Sequence, residues 1–117
     1  MGVSEPLIQS VLLGEAVEHA PVAVLVADDE MRFVAANEYA CRLLGYSRAE
    51  LLELRMPDVA KGEEVPREFA EVQAHGRLEG TTIMTRKDGT ALPLCYRAAE
   101  TKIGGLVYYV SISWPEP

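Results

Sequence analysis

The chain has 117 residues, of which 49% are apolar, and a formal net charge of −7; this size predicts one domain with a single hydrophobic core. The acidic balance argues against a nucleic-acid partner, because phosphate binding needs clustered Lys and Arg. No apolar run approaches the roughly 20 residues of a membrane helix, and the N-terminus has no basic start or long apolar segment, so neither a membrane partner nor a secretory signal is expected. Cys41 and Cys95 are expected to be reduced, buried thiols of a cytoplasmic protein.

An amphipathic helix is predicted at residues 1–20. Ser4 and Pro6 are typical of a helix start, with a capping hydroxyl followed by proline in the first turn. Apolar residues then recur at helical spacing until Pro21 ends the helix. The apolar face of this helix is expected to be buried, either against the chain's own sheet or against the same helix of a second chain. The residues expected at such a dimer contact are Leu7, Ile8, Val11 and Leu12.

The stretch from Val24 to Tyr46 reads VLVADDEMRFVAANEYACRLLGY and predicts a strand, an acidic turn, a second strand and a short helix. Asn37 suits the N-cap of that helix, and Gly45 suits a left-handed exit from it. Two acidic clusters, Asp28-Asp29-Glu30 in the turn and Glu63-Glu64 further on, could hold a cation by composition. Adjacent acidic side chains usually face water, so no metal site is predicted.

Further helices are predicted in the middle of the chain. Ser47 and Glu50 have the spacing of a capping box, and a short helical turn is expected in the loop at residues 56–59. A longer helix is predicted from Glu63 to His75, where Gly76 can end it.

Three strands are predicted in the C-terminal part, at residues 78–86, 91–100 and 106–114. Asp88-Gly89 between the first two is a strong hairpin signal, and Gly104-Gly105 supplies the next turn. The last strand is apolar on both faces, which predicts a central position in the sheet. Val107 and Tyr109 point to one face. The residues on the other face, expected at a dimer contact, are Leu106, Tyr108, Val110 and Ile112.

Two segments together resemble the PAS domain, a sensory module of many bacterial signalling proteins. The first is Val24 to Tyr46, with its acidic turn, Asn37 and Gly45-Tyr46; the second is RKDGTALPL at residues 86–94. The resemblance spans about residues 15–113. It implies an α+β protein with the PAS fold, a five-stranded antiparallel sheet with helices on one face. Residues 21–114 would form this domain, after the N-terminal helix and before a tail or linker start at residues 115–117.

The resemblance implies sensing and protein–protein signalling rather than catalysis. A homodimer is expected, with an output domain in the same or another chain, commonly a histidine kinase, a cyclic-dinucleotide enzyme or a transcription regulator. A ligand pocket is expected between the sheet and the middle helices. Its candidate lining residues are Val24, Val26, Ala36, Ala40, Leu43, Phe69, Val72, Leu94, Tyr96, Val107 and Tyr109. A fully packed core, in a module that only dimerises, is the alternative.

The resemblance predicts no resident cofactor. Flavin-binding members need a Cys inside an Asn-Cys-Arg-Phe segment on the middle helix, and this chain has no such segment. His75 ends the helix that carries the axial histidine in haem-binding members, so it is the candidate haem ligand. The family's usual Asp-Ile-Thr ending is here Ser111-Ile112-Ser113, followed by Pro115 and Pro117. Because proline is excluded from helix interiors, a direct helical exit is not expected.

Overall fold

The computed structural model describes residues 5–60 and 65–117. Its helices are α1 (Pro6–Glu18), α2 (Glu38–Leu44), α3 (Arg48–Leu51), α4 (Met56–Val59) and α5 (Val65–His75). Its strands are β1 (Ala23–Ala27), β2 (Phe33–Ala36), β3 (Arg77–Thr85), β4 (Ala91–Ile103) and β5 (Leu106–Pro115). The predicted Ser4 cap, the predicted helix start at Glu63 and the acidic pair Glu63-Glu64 lie outside the described residues.

The strands form one antiparallel sheet in the order β2-β1-β5-β4-β3. The central position predicted for the last strand is therefore confirmed. Both predicted turns form: Gly89 has φ 89°, and Gly104 and Gly105 have φ 59° and 82°. Glycine suits these positions because other residues are strained at positive φ. The five-stranded antiparallel sheet with helices agrees with the predicted fold.

Local capping residues place α2 and α3 where the sequence predicts them. The Asn37 side chain accepts a hydrogen bond from Ala40 N at 3.1 Å, and Gly45 ends α2 with φ 80°. Ser47 Oγ accepts from Glu50 N, and Glu50 Oε1 accepts from Ser47 N. This reciprocal pair is a capping box. Since α2 packs on β1 and α3 on β2, these caps fix the helices over one half of the sheet.

The inward face of β1 differs from the prediction. Ala23, Leu25 and Ala27 are buried, whereas Val24 and Val26 are only half-buried and point to the outer face. Because all five residues of β1 are apolar, the sequence does not determine which of them face inward. The pairing of β1 with β5, in which Leu25 lies opposite Ser111, determines which residues face inward. Val24 and Val26 are therefore not pocket residues.

The helix α1 forms as predicted but is not amphipathic, and it does not cover the sheet of its own chain. None of its residues is buried; Leu13, for example, is 63% exposed. At about 3.6 residues per turn, Leu13 and Val17 fall opposite Ile8 and Val11, so apolar residues surround the helix. No helix in residues 5–60 and 65–117 is long and apolar enough to cross a membrane.

Candidate functional site

A cavity of about 90 Å³ lies between the inner face of the sheet and α5. One water molecule needs roughly 10–15 Å³ of such space, so a small molecule can be accommodated. Most of the lining side chains are apolar. Within the described part of the chain the lining residues are Leu25, Ala27, Met31, Phe33, Met56, Ala60, Glu68, Phe69, Val72, Leu78, Thr82, Met84, Tyr96, Ala98, Tyr109, Ser111 and Ser113.

The floor of the cavity is made of small residues that the strand register brings side by side. In one row of the sheet Ser113 lies opposite Tyr96, and Tyr96 lies opposite Gly80. In the next row Ser111 lies opposite Ala98. Side chains directly opposite each other share a face and lie about 4.5–5.5 Å apart at Cβ. Small side chains in adjacent rows therefore leave a common space that the helices do not fill.

The roof of the cavity is α5, which two contacts hold against the central strands. Tyr96 Oη donates to Glu68 Oε2 at 2.5 Å. The Phe69 and Tyr109 rings meet edge to face, with centroids 4.8 Å apart and planes at 63°, a favourable arrangement for aromatic pairs. Burial, the hydrogen bond to Glu68 and the charge of Glu68 all raise the pKa of Tyr96. The phenol thus stays protonated and remains a donor to α5.

Four of the predicted pocket residues meet around this cavity: Phe69, Val72, Tyr96 and Tyr109. The hydroxyl partner that a buried tyrosine needs is, for Tyr96, the carboxylate of the roof helix. The remaining candidates do not line the cavity.

The remaining candidates have other places in the fold. Ala36, Ala40 and Leu94 are buried in the packed core, and Leu43 packs against it. Val107 is half-buried beside the β4–β5 turn, opposite Lys102. The pocket is predicted between the sheet and the middle helices, and the cavity lies there, under α5. These four core residues belong to the core packed around α2 instead.

Several lining residues were missed. Ser111 and Ser113 follow Tyr109 at the period of two that places alternate strand residues on one face, so the pattern of β5 could have identified them. Glu68 precedes Phe69 on a helix, and no sequence signal marks a carboxylate there as facing inward. Leu25 and Ala27 were missed because the prediction places the alternate residues of β1, Val24 and Val26, on the inward face.

Neither the candidate haem ligand nor the two cysteines line the cavity. The His75 side chain is 68% exposed, and its Nε2 lies 3.3 Å from Glu71 Oε2. It does not line the cavity, so the residues present do not fit a haem held there through His75. Cys41 and Cys95 are free, but they are half-buried and not buried as predicted, and neither is a lining residue.

The acidic turn is closed by its own hydrogen bonds. The Asp28 carboxylate accepts from Glu30 N at 2.9 Å, Arg32 N at 3.0 Å and Arg32 Nε at 2.8 Å. Burial raises the pKa of Asp28, but these hydrogen bonds outweigh it and bring the pKa below its ordinary value. In residues 5–60 and 65–117 no group of three or more His, Cys, Asp or Glu is placed to hold a metal ion.

The predicted dimer-contact residues of β5 lie on the outer face of the sheet. Leu106 is 63% exposed and Ile112 37%, while Tyr108 and Val110 are half-buried. Val110 and Ile112 form one side of a shallow groove whose other side carries Arg77 and Arg97. In the single chain this surface is uncovered.

Comparison with known proteins agrees with this fold. A family model described as "PAS domain" matches residues 21–113. A search of curated proteins gives no match. Among solved structures, a PAS domain from a two-component sensor histidine kinase superposes with a TM-score of 0.85 at 14% identity, covering 96% of this chain and 100% of that one.

Two further structures are similar. A domain of the sensory box sensor histidine kinase/response regulator from Geobacter sulfurreducens has a TM-score of 0.82 at 21% identity, covering 96% of this chain and 98% of that one. The PAS domain, in complex with ethanol, of a transcriptional regulator in the LuxR family from Burkholderia thailandensis has a TM-score of 0.71 at 17% identity, covering 87% and 95%. At these identities the superpositions concern the fold, and the family match covers most of the chain: the chain belongs to the PAS domain family.

Proposed function

We propose that this chain is a sensory module that binds a small molecule in the cavity between the sheet and α5 and signals by binding, without catalysing a reaction. The observation that carries the proposal is the cavity itself, which has apolar walls and a few polar groups, as ligand sites usually have. The similar PAS domain from Burkholderia thailandensis, solved in complex with ethanol, supports a small ligand for this chain as well.

The contacts around the cavity suggest how occupancy would reach a partner. Glu68–Tyr96 and Phe69–Tyr109 connect α5 to β4 and β5. Alternate residues of these strands face outward, where Val110 and Ile112 border the outer groove. A ligand that shifts α5 would therefore move strands whose opposite face is exposed to an output domain, in the same chain or in another.

Small-molecule binding can be tested with a variant that fills the cavity. Ala98 lines the cavity, so Ala98→Leu should abolish binding of compounds found in a thermal-shift and NMR screen while preserving the fold. Ala91→Leu is the matched control, because Ala91 is exposed near the start of the same strand. Screening hits that bind Ala98→Leu as tightly as the unmodified protein would contradict the proposal.

We propose, as a second function of the module, homodimerisation through α1 and the outer face of the sheet. Each is apolar and uncovered in the single chain. Residues 1–20 contain three Glu and no Lys or Arg. The outer groove carries Arg77, Arg97 and Glu79, and Glu79 pairs with Arg97 at 3.2 Å. Arg77, which makes no ion pair with the described residues, is therefore the groove cation that could attract the acidic α1 of a partner subunit.

Light scattering tests the dimer. The full chain is expected to be dimeric at high micromolar concentration, and deletion of residues 1–18 or the substitution Ile112→Glu should give monomers. The control is Val34→Glu, because Val34 is an exposed apolar residue on β2, at the other edge of the sheet from the groove. A full chain that is monomeric, with the same mass after the deletion, would contradict dimerisation and leave ligand binding to be judged by its own test.

A further inference from the structure

The Ser113 hydroxyl is buried in the wall of the cavity without a partner. Ser113 is only 1% exposed, and its Oγ makes no hydrogen bond to any described residue. Removing a hydroxyl from water without replacing its hydrogen bond is unfavourable, and unpaired buried polar side chains are uncommon in folded proteins. An unpaired hydroxyl in the wall of a cavity indicates that a ligand bound there supplies its hydrogen-bond partner.

A second serine makes this end of the cavity polar. Ser111 is two residues before Ser113 on the same face of β5. The one side-chain hydrogen bond that it makes to a described residue is long, 3.5 Å from Oγ to Leu25 O. Such a hydrogen bond is weak. The neighbouring phenol of Tyr96 is engaged by Glu68. The hydroxyls of Ser111, Ser113 and Thr82 are therefore the lining groups that can turn toward a ligand without breaking a strong contact. Of these three, Ser113 Oγ is the one that is fully buried without a partner among the described residues.

The described residues around the cavity disfavour ionised ligands. No Lys, Arg or His is among the described lining residues, so these residues offer a bound carboxylate or phosphate no counter-charge. A cationic ligand would have one possible counter-charge, the Glu68 carboxylate, one oxygen of which already accepts from Tyr96, and a single buried ion pair often does not offset the desolvation of both charges. Burial of an unpaired charge is strongly unfavourable. A neutral ligand meets neither penalty.

We infer that the ligand is a small, neutral molecule with a short hydrocarbon body and one oxygen, an alcohol or a ketone, whose oxygen hydrogen-bonds to Ser113 Oγ. Its hydrocarbon body would lie against apolar lining residues such as Phe69, Val72 and Met84. A hydroxyl group can both donate and accept, so Ser113 can serve either oxygen type. This inference rests on the proposed ligand-binding function and specifies its chemistry.

The test uses four compounds with the same chain length: 1-butanol, 2-butanone, butyrate and butylammonium. NMR titration of the full chain should show saturable shifts at Tyr96, Ser111 and Ser113 for the alcohol and the ketone. We expect butyrate and butylammonium to bind at least about tenfold more weakly, as expected for an unpaired buried charge. Equal affinity for the charged compounds would overturn the inference.

Substitutions at Ser113 separate ligand recognition from folding. Ser113→Ala should weaken 1-butanol binding about 5–10-fold, the effect of one hydrogen bond. It should also raise the melting temperature of the unliganded protein, because it removes an unpaired buried hydroxyl. Ser113→Thr keeps the hydroxyl and should bind 1-butanol more tightly than Ser113→Ala. Ser10→Ala, at an exposed position of α1, should leave the 1-butanol affinity unchanged.

Xenon, which binds apolar cavities, distinguishes failure of the inference from failure of the proposed function. Xenon should bind both the unmodified protein and Ser113→Ala. If xenon binds while Ser113→Ala leaves the 1-butanol affinity unchanged, the hydroxyl does not recognise the ligand and the inference is wrong. If neither xenon nor any of the four compounds binds, the cavity is not a binding site and the proposed function fails with it.

Discussion

The Asn37 side chain joins three elements of the fold. Its Oδ1 accepts from Val24 N at 2.9 Å and Ala40 N at 3.1 Å, and its Nδ2 donates to Val17 O at 2.8 Å and Val22 O at 2.9 Å. These four bonds connect the end of α1, the start of β1 and the first turn of α2. The residue is 4% exposed, so water cannot replace these partners.

We predict that Asn37→Ala lowers the free energy of unfolding by about 2–4 kcal/mol, because an N-cap contributes about 0.5–2 kcal/mol and each buried group left unpaired adds about 1–3 kcal/mol. Urea unfolding measures this as a lower midpoint with an unchanged slope. Ser47→Ala removes an exposed cap and is expected to cost about 0.5–1 kcal/mol. A loss at Asn37 no larger than at Ser47 would contradict the role assigned to its four bonds.

Residue-level features with a local physical cause could be read from the sequence, and those with a distant cause could not. The cap at Asn37 and the left-handed Gly45 depend on neighbours a few residues away. The direction of Val24 depends on β5, more than 80 residues further along the chain. In a run of apolar residues, either set of alternate side chains could face inward, so the pairing partner decides which set does.

At the level of elements, α3 is tied to the β3–β4 hairpin by one charged contact. Lys87 Nζ donates to Glu50 Oε2 at 2.5 Å, while Glu50 Oε1 accepts from Ser47 N at 2.8 Å. The hydrogen bond from Lys87 and the backbone hydrogen bond from Ser47 lower the pKa of Glu50 to about 2. The same carboxylate therefore caps a helix and holds the turn that follows β3.

This contact predicts a pH dependence of stability. Because the folded state lowers the pKa of Glu50 from 4.5 to about 2, its contribution is complete above pH 4.5 and is lost as the pH falls toward 2. Glu50→Gln should therefore give a flatter dependence of melting temperature on pH in this window. Glu53→Gln is the control, since the exposed Glu53 side chain makes no ion pair with the described residues. Identical profiles for Glu50→Gln and the unmodified protein would refute the assignment.

The attachment of α5 predicts a local change in dynamics. Tyr96→Phe removes the hydrogen bond to Glu68 and leaves the aromatic contact of Phe69 with Tyr109 in place. Loss of one such bond should increase opening of α5, and amide exchange in residues 68–75 should be roughly tenfold faster. Exchange in β4 and β5 should be nearly unchanged. Tyr108→Phe, on the outer face, is the control, and equal acceleration in both variants would show that the hydroxyl of Tyr96 does not hold the helix.

For the whole molecule, the number and pairing type of the strands and the central position of β5 were predictable, but the position of the cavity was not. Strand number and turns follow from periodicity and from glycines such as Gly89 and Gly104. A cavity is the small volume left after every side chain has packed, and it depends on which residues lie opposite one another. Ser111 and Ala98 meet through the β4–β5 register, which the Gly104-Gly105 turn fixes. The space above them depends on where α5 packs on the sheet, which no local pattern contains.

The N-terminal helix α1 has few interactions that could stabilise it within a single chain. Isolated helices shorter than about 12–15 residues are marginal in water, and the 13 residues of α1 include no buried residue. Its attachment to the domain is polar: Asn37 binds Val17 O, and Arg48 bonds to Glu18. These contacts fix the end of the helix but bury no apolar side chain along it. A second subunit would supply the missing apolar cover.

We therefore predict that folding of α1 is coupled to dimerisation. On dilution, the helical circular dichroism signal should fall together with the mass measured by light scattering, while near-UV signals of the sheet domain persist. A chain lacking residues 1–16 keeps Val17 and Glu18, and it should stay folded, monomeric and insensitive to dilution. The physical reason is that apolar burial by the partner, about 25 cal/mol per Å², is the only large favourable contribution open to this helix. A helical signal that stays constant while the dimer dissociates would show that α1 is stable alone, and the coupling would be wrong.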